Sequence, residues 1–232
     1  MPEGHNPLGC SLALARRRAL LAVARRHRVP VIEDDAYGLL RHETAGPPPL
    51  AALDPEVLLV GSVSKVLGPA LRVGWLVVPE ERIPELSRHK EAMDTDSRTL
   101  AQWLVATLLG EEDTLHTHLA ALRAKCRERR DVLLDALRRH LPEGQWRTPE
   151  AGLFVWVRIP GVDAANLASL AMTDERVVFL PDVVFGPPEP DVGGLRLAFG
   201  SIDPAGIVEG VRRLARVARR EQASLFALGG PA

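Results

Sequence analysis

The chain has 232 residues, 46% of them hydrophobic and 25% charged, with a formal net charge of -1. That length suits one good-sized domain or two small ones, and the near-neutral balance argues against an electrostatic footprint for nucleic acid or an anionic membrane. Its two cysteines, Cys10 and Cys126, lie far apart and its seven histidines are scattered, which argues against a disulfide framework and a zinc site. No apolar run approaches the roughly 20 residues that cross a bilayer, and no basic-then-apolar signal pattern opens the chain. The expectation is a cytoplasmic protein that by itself binds neither membrane nor nucleic acid.

In chain order, a dense turn, His5 to Gly9, follows Met1 within a few residues. Ser11 then reads as the cap of a helix with Leu14, Leu21 and Ala24 on one face, running to about His27. Val31-Ile32 reads as a buried parallel strand that stops in Glu33-Asp34-Asp35. Residues 41–53, with Pro47, Pro48 and Pro49, read as loop. Val57 to Val60 and Val73 to Val78 read as two further strands. The sequence then turns helical, and Asp113 reads as the cap of a long helix with the stripe Leu115, Leu119, Leu122, Cys126, Leu133 and Leu137. Arginines along it alternate with Glu128, Asp131 and Asp135, the pattern of a solvated face. Strands are expected at Leu153 to Val157, Val177 to Leu180 and Leu195 to Phe199, with a helix from about Val162 to Met172 between the first two. Asp203-Pro204, a cap followed by a first-turn proline, opens a last helix that buries Ile207, Val211, Leu214 and Val217. This order predicts an α/β sheet followed by a smaller α+β unit, divided within the long helix into residues 1–115 and 116–232.

Four clusters carry chemistry. Gly61-Ser62-Val63-Ser64-Lys65 places an amine just after a core strand, where strongly hydrated lysines are rare. Partly desolvated and near the cation of Arg72, that amine would have a lowered pKa and suit Schiff-base formation. Ser62, Ser64 and Arg72 suit an anion such as a phosphate. A lysine that merely points to solvent explains the segment equally well. Asp34, in Glu33-Asp34-Asp35-Ala36-Tyr37, lies where α/β sheets bind ligands, though a turn capped by acids is the commoner meaning. Asn6-Pro7-Leu8-Gly9 is a turn by composition. Arg196, inside an apolar run, needs a partner if it is buried; an outward surface arginine fits as well.

In this order, the four clusters resemble the fold-type I pyridoxal-phosphate (PLP) aminotransferases of class I/II, whose members carry an Asn-Pro-x-Gly turn, an Asp-x-x-Tyr strand end, a Ser-x-Ser-Lys segment with an arginine shortly after, and a late arginine. Pro149 to Trp156 is similar to the family's entry into its small domain, and Glu-Asp-Asp-Ala-Tyr to the branch holding kynurenine/2-aminoadipate aminotransferases and MocR-type regulators. The resemblance covers nearly the whole chain. It implies a partial PLP-transferase large domain, built on a mostly parallel sheet, followed by a small α+β domain. It implies PLP as cofactor, with Lys65 holding the aldehyde as a Schiff base and moving the substrate proton. Asp34 would pair with the pyridine nitrogen, Tyr37 and Asn6 with the ring hydroxyl oxygen, and Ser62, Ser64 and Arg72 with the phosphate. Arg196, with Asn6 beside it, would bind the substrate α-carboxylate. Amino acids and 2-oxo acids are the implied substrates and a homodimer the implied assembly.

Relatives begin earlier, with the first strands of the large-domain sheet, a phosphate-cupping turn and an aromatic that stacks on the ring. The chain is therefore expected to be the carboxyl-terminal portion of such a protein, with a sheet edge and an apolar face left uncovered. Two alternatives to transamination stay open: a PLP-binding effector domain of a MocR-type transcriptional regulator, and an inactive remnant.

Overall fold

The structure is a computed structural model that describes residues 1–43, 46–95, 98–186 and 194–228. Its helices are α1 (Leu14–His27), α2 (Leu50–Leu53), α3 (Ile83–Met93), α4 (Thr99–Gly110), α5 (Glu112–His140), α6 (Ala164–Glu175) and α7 (Pro204–Leu228). Its strands are β1 (Ile32–Asp34), β2 (Leu58–Ser62), β3 (Gly74–Val77), β4 (Gln145–Trp146), β5 (Phe154–Arg158), β6 (Leu180–Pro181) and β7 (Gly194–Ala198). They form two compact units. The first holds Met1–His5, Ser11–Arg123 and Glu150–Gly152; the second holds Asn6–Cys10, Ala124–Pro149 and the residues from Leu153 onward. The units part at Arg123 within α5, whereas the sequence reading divides the chain after residue 115 and keeps Asn6 to Cys10 in the first part. Among the described residues no helix is long and apolar enough to cross a membrane, and no cluster of His, Cys, Asp and Glu is placed to hold a metal ion.

The first unit is built on a sheet of order β1-β2-β3, with β1 and β2 parallel and β3 antiparallel to β2. Leu21 of α1, Leu50 of α2 and Val57 form a buried cluster, with Val31, Ala51 and Leu53 against it. Here two expectations fail. Residues 50–53 are a helical turn rather than loop, because the Ala51 N–H, at the turn's start, finds the buried Glu33 carboxylate at 3.0 Å; Thr44 and Ala45 of the expected loop lie outside the described residues. Nor are β1 and β3 buried strands. Ile32 is 67% exposed on one face of the sheet, and β3 is open on both, with Leu76 54% and Val77 52% exposed.

Ser11 and Asp113 are not caps. The Ser11 hydroxyl donates to the Glu3 carboxylate, and Ala13 precedes α1 without a side-chain cap. Asp113 lies inside the first turn of α5, where its charge still favours the positive helix end.

The amino-terminal segment is tied down by Arg17, only 1% exposed. Its guanidinium donates to the carbonyls of Leu12 at 2.7 Å, Pro48 at 3.1 Å and Pro2 at 3.1 Å, and to Glu3 at 2.6 Å. Arg41 pairs with the other oxygen of Glu3. A buried arginine is tolerable only when its donors are met, as these are. Asp35 lies near the same charges. Burial, then the Glu33 and Glu3 carboxylates, push its pKa up to about 6, against the opposing pull of the Gly38 N–H and Arg17.

The second unit is built on an antiparallel sheet of order β4-β5-β7-β6. Register sets Val155 opposite Leu197 and Val157 opposite Leu195, all four buried on one face. Each contributes about 1.5–3 kcal/mol of burial relative to exposure. Along α5 the expected stripe is buried at Leu119, Cys126, Leu133 and Leu137. Along α7 Ile207, Val211, Leu214 and Val217 are buried, and Asp203 caps the helix by accepting the Gly206 N–H at 2.7 Å. The strand expected over residues 177–180 shrinks to Leu180–Pro181, since Val177 closes the end of α6 by donating to the Ala171 carbonyl.

Replacing Arg17 by Leu should destabilise the first unit by about 3 kcal/mol, the cost of leaving part of a buried charge network unpaired. The same change at exposed Arg18 should stay within about 0.5 kcal/mol, and urea unfolding reads both. Asp35 makes stability fall as pH rises. The folded chain keeps the proton to about 6 while the unfolded one releases it near 3.8, so stability present in acid is lost across that window. Asp35→Asn should flatten this part of the melting-temperature profile against pH.

Candidate functional site

Chemistry in the first unit gathers where β1 and β2 end side by side. The parallel register sets Ile32 beside Leu58 and Asp34 beside Val60, and the Asp35 N–H extends the ladder to the Val60 carbonyl at 2.9 Å. Because side chains alternate, Asp34, Val60 and Ser62 share one face, the uncovered one, and Glu33 takes the opposite, buried face. Asp34 is exposed; its Oδ1 accepts the Ala36 N–H at 3.2 Å. This leaves the other carboxylate oxygen exposed at the carboxyl end of β1, the end at which open α/β sheets bind ligands.

Beyond β2 the backbone folds back on itself. The Val63 carbonyl accepts N–H groups from Val66 at 3.1 Å, Leu67 at 2.8 Å and Gly68 at 3.3 Å. Buried Val63 and Val66 anchor this turn, and Lys65 projects from between them. Its ammonium lies 6.0 Å from the centre of the Tyr37 ring. The amine is exposed, so the expected partial desolvation is corrected: Tyr37 flanks it, and the described residues add no enclosing wall.

Ser62 Oγ accepts the Ser64 N–H at 3.1 Å and lies 3.0 Å from Ser64 Oγ and 3.4 Å from the Val73 carbonyl. The two hydroxyls therefore form one polar edge beside Lys65. Val73 also accepts the Val63 N–H at 3.3 Å, which brings Arg72, one residue earlier, to the same turn. Arg72 is exposed, and its Nη1 donates to the Pro69 carbonyl at 3.4 Å.

Tyr37, 4% exposed, is fixed from below by backbone. Gly4, at φ +54°, leaves the space it fills: a methyl group there would fall 2.9 Å from Tyr37 Cβ. A second support has no sequence signal. His118 of α5 donates from Nε2 to the Val66 carbonyl at 2.7 Å, a bond across 52 residues that holds the Lys65 turn. A carbonyl only accepts, so the proton is on Nε2.

Asn6 and Arg196 meet in the second unit, 190 residues apart in sequence. Arg196 Nη1 donates to Asn6 Oδ1 at 2.7 Å. Arg196 stands opposite Trp156 across β5 and β7, on the face away from the core. Its guanidinium carbon lies 4.0 Å from the centre of the Phe154 ring and 5.0 Å from that of Phe185. This half-buried arginine is the partnered one of the two sequence readings. In the sequence Phe154 and Phe185 are only apolar residues; β5–β7 pairing brings the first to the guanidinium, and the turn before Phe185 brings the second.

Six of the eight residues singled out in the sequence thus gather in the first unit, and the other two bond directly in the second. Comparison with known proteins bears on the family of the chain. Residues 4–214 match the family Aminotransferase class I and II. The chain is 37% identical over 226 residues to 2-aminoadipate transaminase of Thermus thermophilus, covering 93% of this chain and 55% of that one. It is 32% identical over 223 residues to an uncharacterised HTH-type transcriptional regulator of Bacillus subtilis, covering 95% and 46%. Among solved structures, LysN, the alpha-aminoadipate aminotransferase of Thermus thermophilus complexed with N-(5'-phosphopyridoxyl)-L-leucine, superposes with a TM-score of 0.88 at 35% identity, over 98% of this chain and 59% of that one. The chain spans about half the length of the curated relatives it matches. With 211 consecutive positions matched in one family and the fold shared at this level, the chain belongs to the class I and II aminotransferases.

Proposed function

We propose that this chain carries the cofactor-holding and carboxylate-binding groups of a PLP-dependent transaminase acting between an α-amino acid and a 2-oxo acid. The observation that carries the reading is the meeting of Asp34, Ser62, Ser64 and Lys65 at the ends of two adjacent parallel strands, with Tyr37 beside the amine. This donor set fits a phosphorylated pyridine aldehyde: an amine for the aldehyde, an acid for the ring nitrogen, hydroxyls and a guanidinium for the phosphate. When bound, PLP supplies an electron-accepting ring that stabilises negative charge at the substrate Cα.

The roles of the chain's own residues follow from their chemistry. Lys65 is the amine that holds the aldehyde and, once displaced by a substrate amine, the base that moves the Cα proton. Its exposure and its rigid turn leave it free to swing while its backbone stays fixed. Asp34 keeps a negative charge facing the ring nitrogen, so the nitrogen keeps its proton. Tyr37 offers a phenol to the ring hydroxyl oxygen. Ser62, Ser64 and Arg72 donate to the phosphate, a charge-assisted set. Arg196 binds the substrate α-carboxylate as a planar fork, held in place by Asn6. A cytoplasmic homodimer remains the assembly that the family resemblance supports.

A second reading is favoured by the regulator relative, which matches 95% of this chain: an effector domain that binds PLP and an amino acid without exchanging the amino group. One experiment separates the two. If an amino acid panel converts PLP on the protein to pyridoxamine 5'-phosphate, the chain transaminates. If an amino acid raises the melting temperature with no conversion, it senses.

Borohydride reduction with PLP present should place the label on Lys65, with exposed Lys90 and Lys125 as internal references. Equal labelling of all three would remove Lys65 from its role. Asp34→Ala should retain the Lys65 label but lose amino-group transfer; unaltered transfer would remove Asp34.

A further inference from the structure

Arginine in an apolar strand is placed by what packs against its plane, and here that packing reaches past the groups already described. Phe185 lies 5.0 Å from the Arg196 guanidinium carbon and meets Trp156 edge-on, with ring centres 5.9 Å apart and planes at 83°. Trp156 is the cross-strand neighbour of Arg196, so Phe185 touches both members of that pair. Phe185 is not on a strand. It ends the short 3-10 turn Asp182–Val184, and its own N–H donates to the Asp182 carbonyl at 2.8 Å.

Asp182, 5% exposed, fastens that turn to β7. One carboxylate oxygen accepts the Val183 N–H at 2.9 Å, and the other accepts the Gly194 N–H at 3.1 Å, two residues before Arg196. Gly194 cannot be replaced without moving the indole, since a methyl group there would lie 2.4 Å from Trp156 Cζ2. A buried acid spent on two backbone N–H groups, one in its own turn and one on the arginine's strand, fixes where the Phe185 ring stands relative to Arg196.

We propose that Asp182 and Phe185 are positioning residues for Arg196: Asp182 clasps the turn to β7, and Phe185 stacks on the guanidinium to fix the plane in which it receives a carboxylate. This rests on the reading of Arg196 as the carboxylate clamp. Asn6 holds one edge of the fork, and the aromatic rings hold its face. A guanidinium held this way loses less freedom when a carboxylate binds, which strengthens a bidentate pair.

Phenylglyoxal modification of the full chain, followed residue by residue by peptide mass, tests both layers with propionate as the carboxylate probe. In the unaltered chain Arg196 should react slowly and be protected by propionate. Phe185→Met removes the ring while keeping an apolar side chain of similar size, and Asp182→Ala removes the clasp. Each should raise the Arg196 rate about fivefold, the scale of one stacked guanidinium contact, and raise the propionate concentration for half-protection by a similar factor. Phe185→Tyr, which keeps the ring, should behave as the unaltered chain. Buried Arg130 is the internal reference, reacting only if the second unit opens. Wild-type rates and protection in both Phe185→Met and Asp182→Ala overturn the proposal. An equal rise at Arg130 overturns it too, since these residues would then hold the fold rather than the guanidinium. Absence of propionate protection in the unaltered chain instead refutes the clamp reading, while the uninhibited rates still decide whether the ring orders Arg196.

Discussion

The parallel pairing of β1 with β2 is the constraint on which the first unit's chemistry depends. Three consecutive acids leave β1 with three different fates because of it. Glu33 turns to the buried face and binds the Ala51 N–H. Asp34 turns to the open face, in line with Ser62. Asp35 takes the last ladder bond, and burial first, then the Glu33 and Glu3 carboxylates, hold its proton. A register slip of one residue would exchange the first two roles. It would bury Asp34 and expose Glu33, the acid that starts α2. The Asp35 N–H bond to Val60 closes the ladder just where such a slip would begin.

The second unit uses the same period of two for another purpose. One face of β5 and β7 is a conventional core of Val155, Val157, Leu195 and Leu197. The other carries Phe154, Trp156 and Arg196, so an arginine can stand in a strand of apolar residues without being buried unpaired. Hydrogen bonds meet the edge of the guanidinium and rings meet its face. The two kinds of contact do not compete for the same atoms.

Much of this was legible in the sequence, and the reasons for the rest are physical. The strands and long helices announce themselves by periodicity, and the four chemical clusters by composition and order. Local signals failed where a tertiary partner was stronger. Ser11 has the right residue type for a cap, but the Glu3 carboxylate draws its hydroxyl away. The proline-rich run hides α2, because the group that starts that helical turn, Glu33, is 18 residues upstream of the amide it binds. Strand burial was overstated because an apolar run is silent about whether anything packs on both of its faces. His118, Asp182 and Phe185 left no mark at all. Each acts through a contact that exists only after the chain has folded.

The face that carries Asp34 and Ser62 also presents Ile32 and Leu76 to water. Chemistry and greasy surface therefore coincide. Sulfate or phosphate buffers that strengthen apolar burial would make such faces cohere and drive the chain toward precipitation. Purification of this chain thus calls for low concentrations of weakly salting-out anions, a practical demand that follows from which way a five-residue strand is turned.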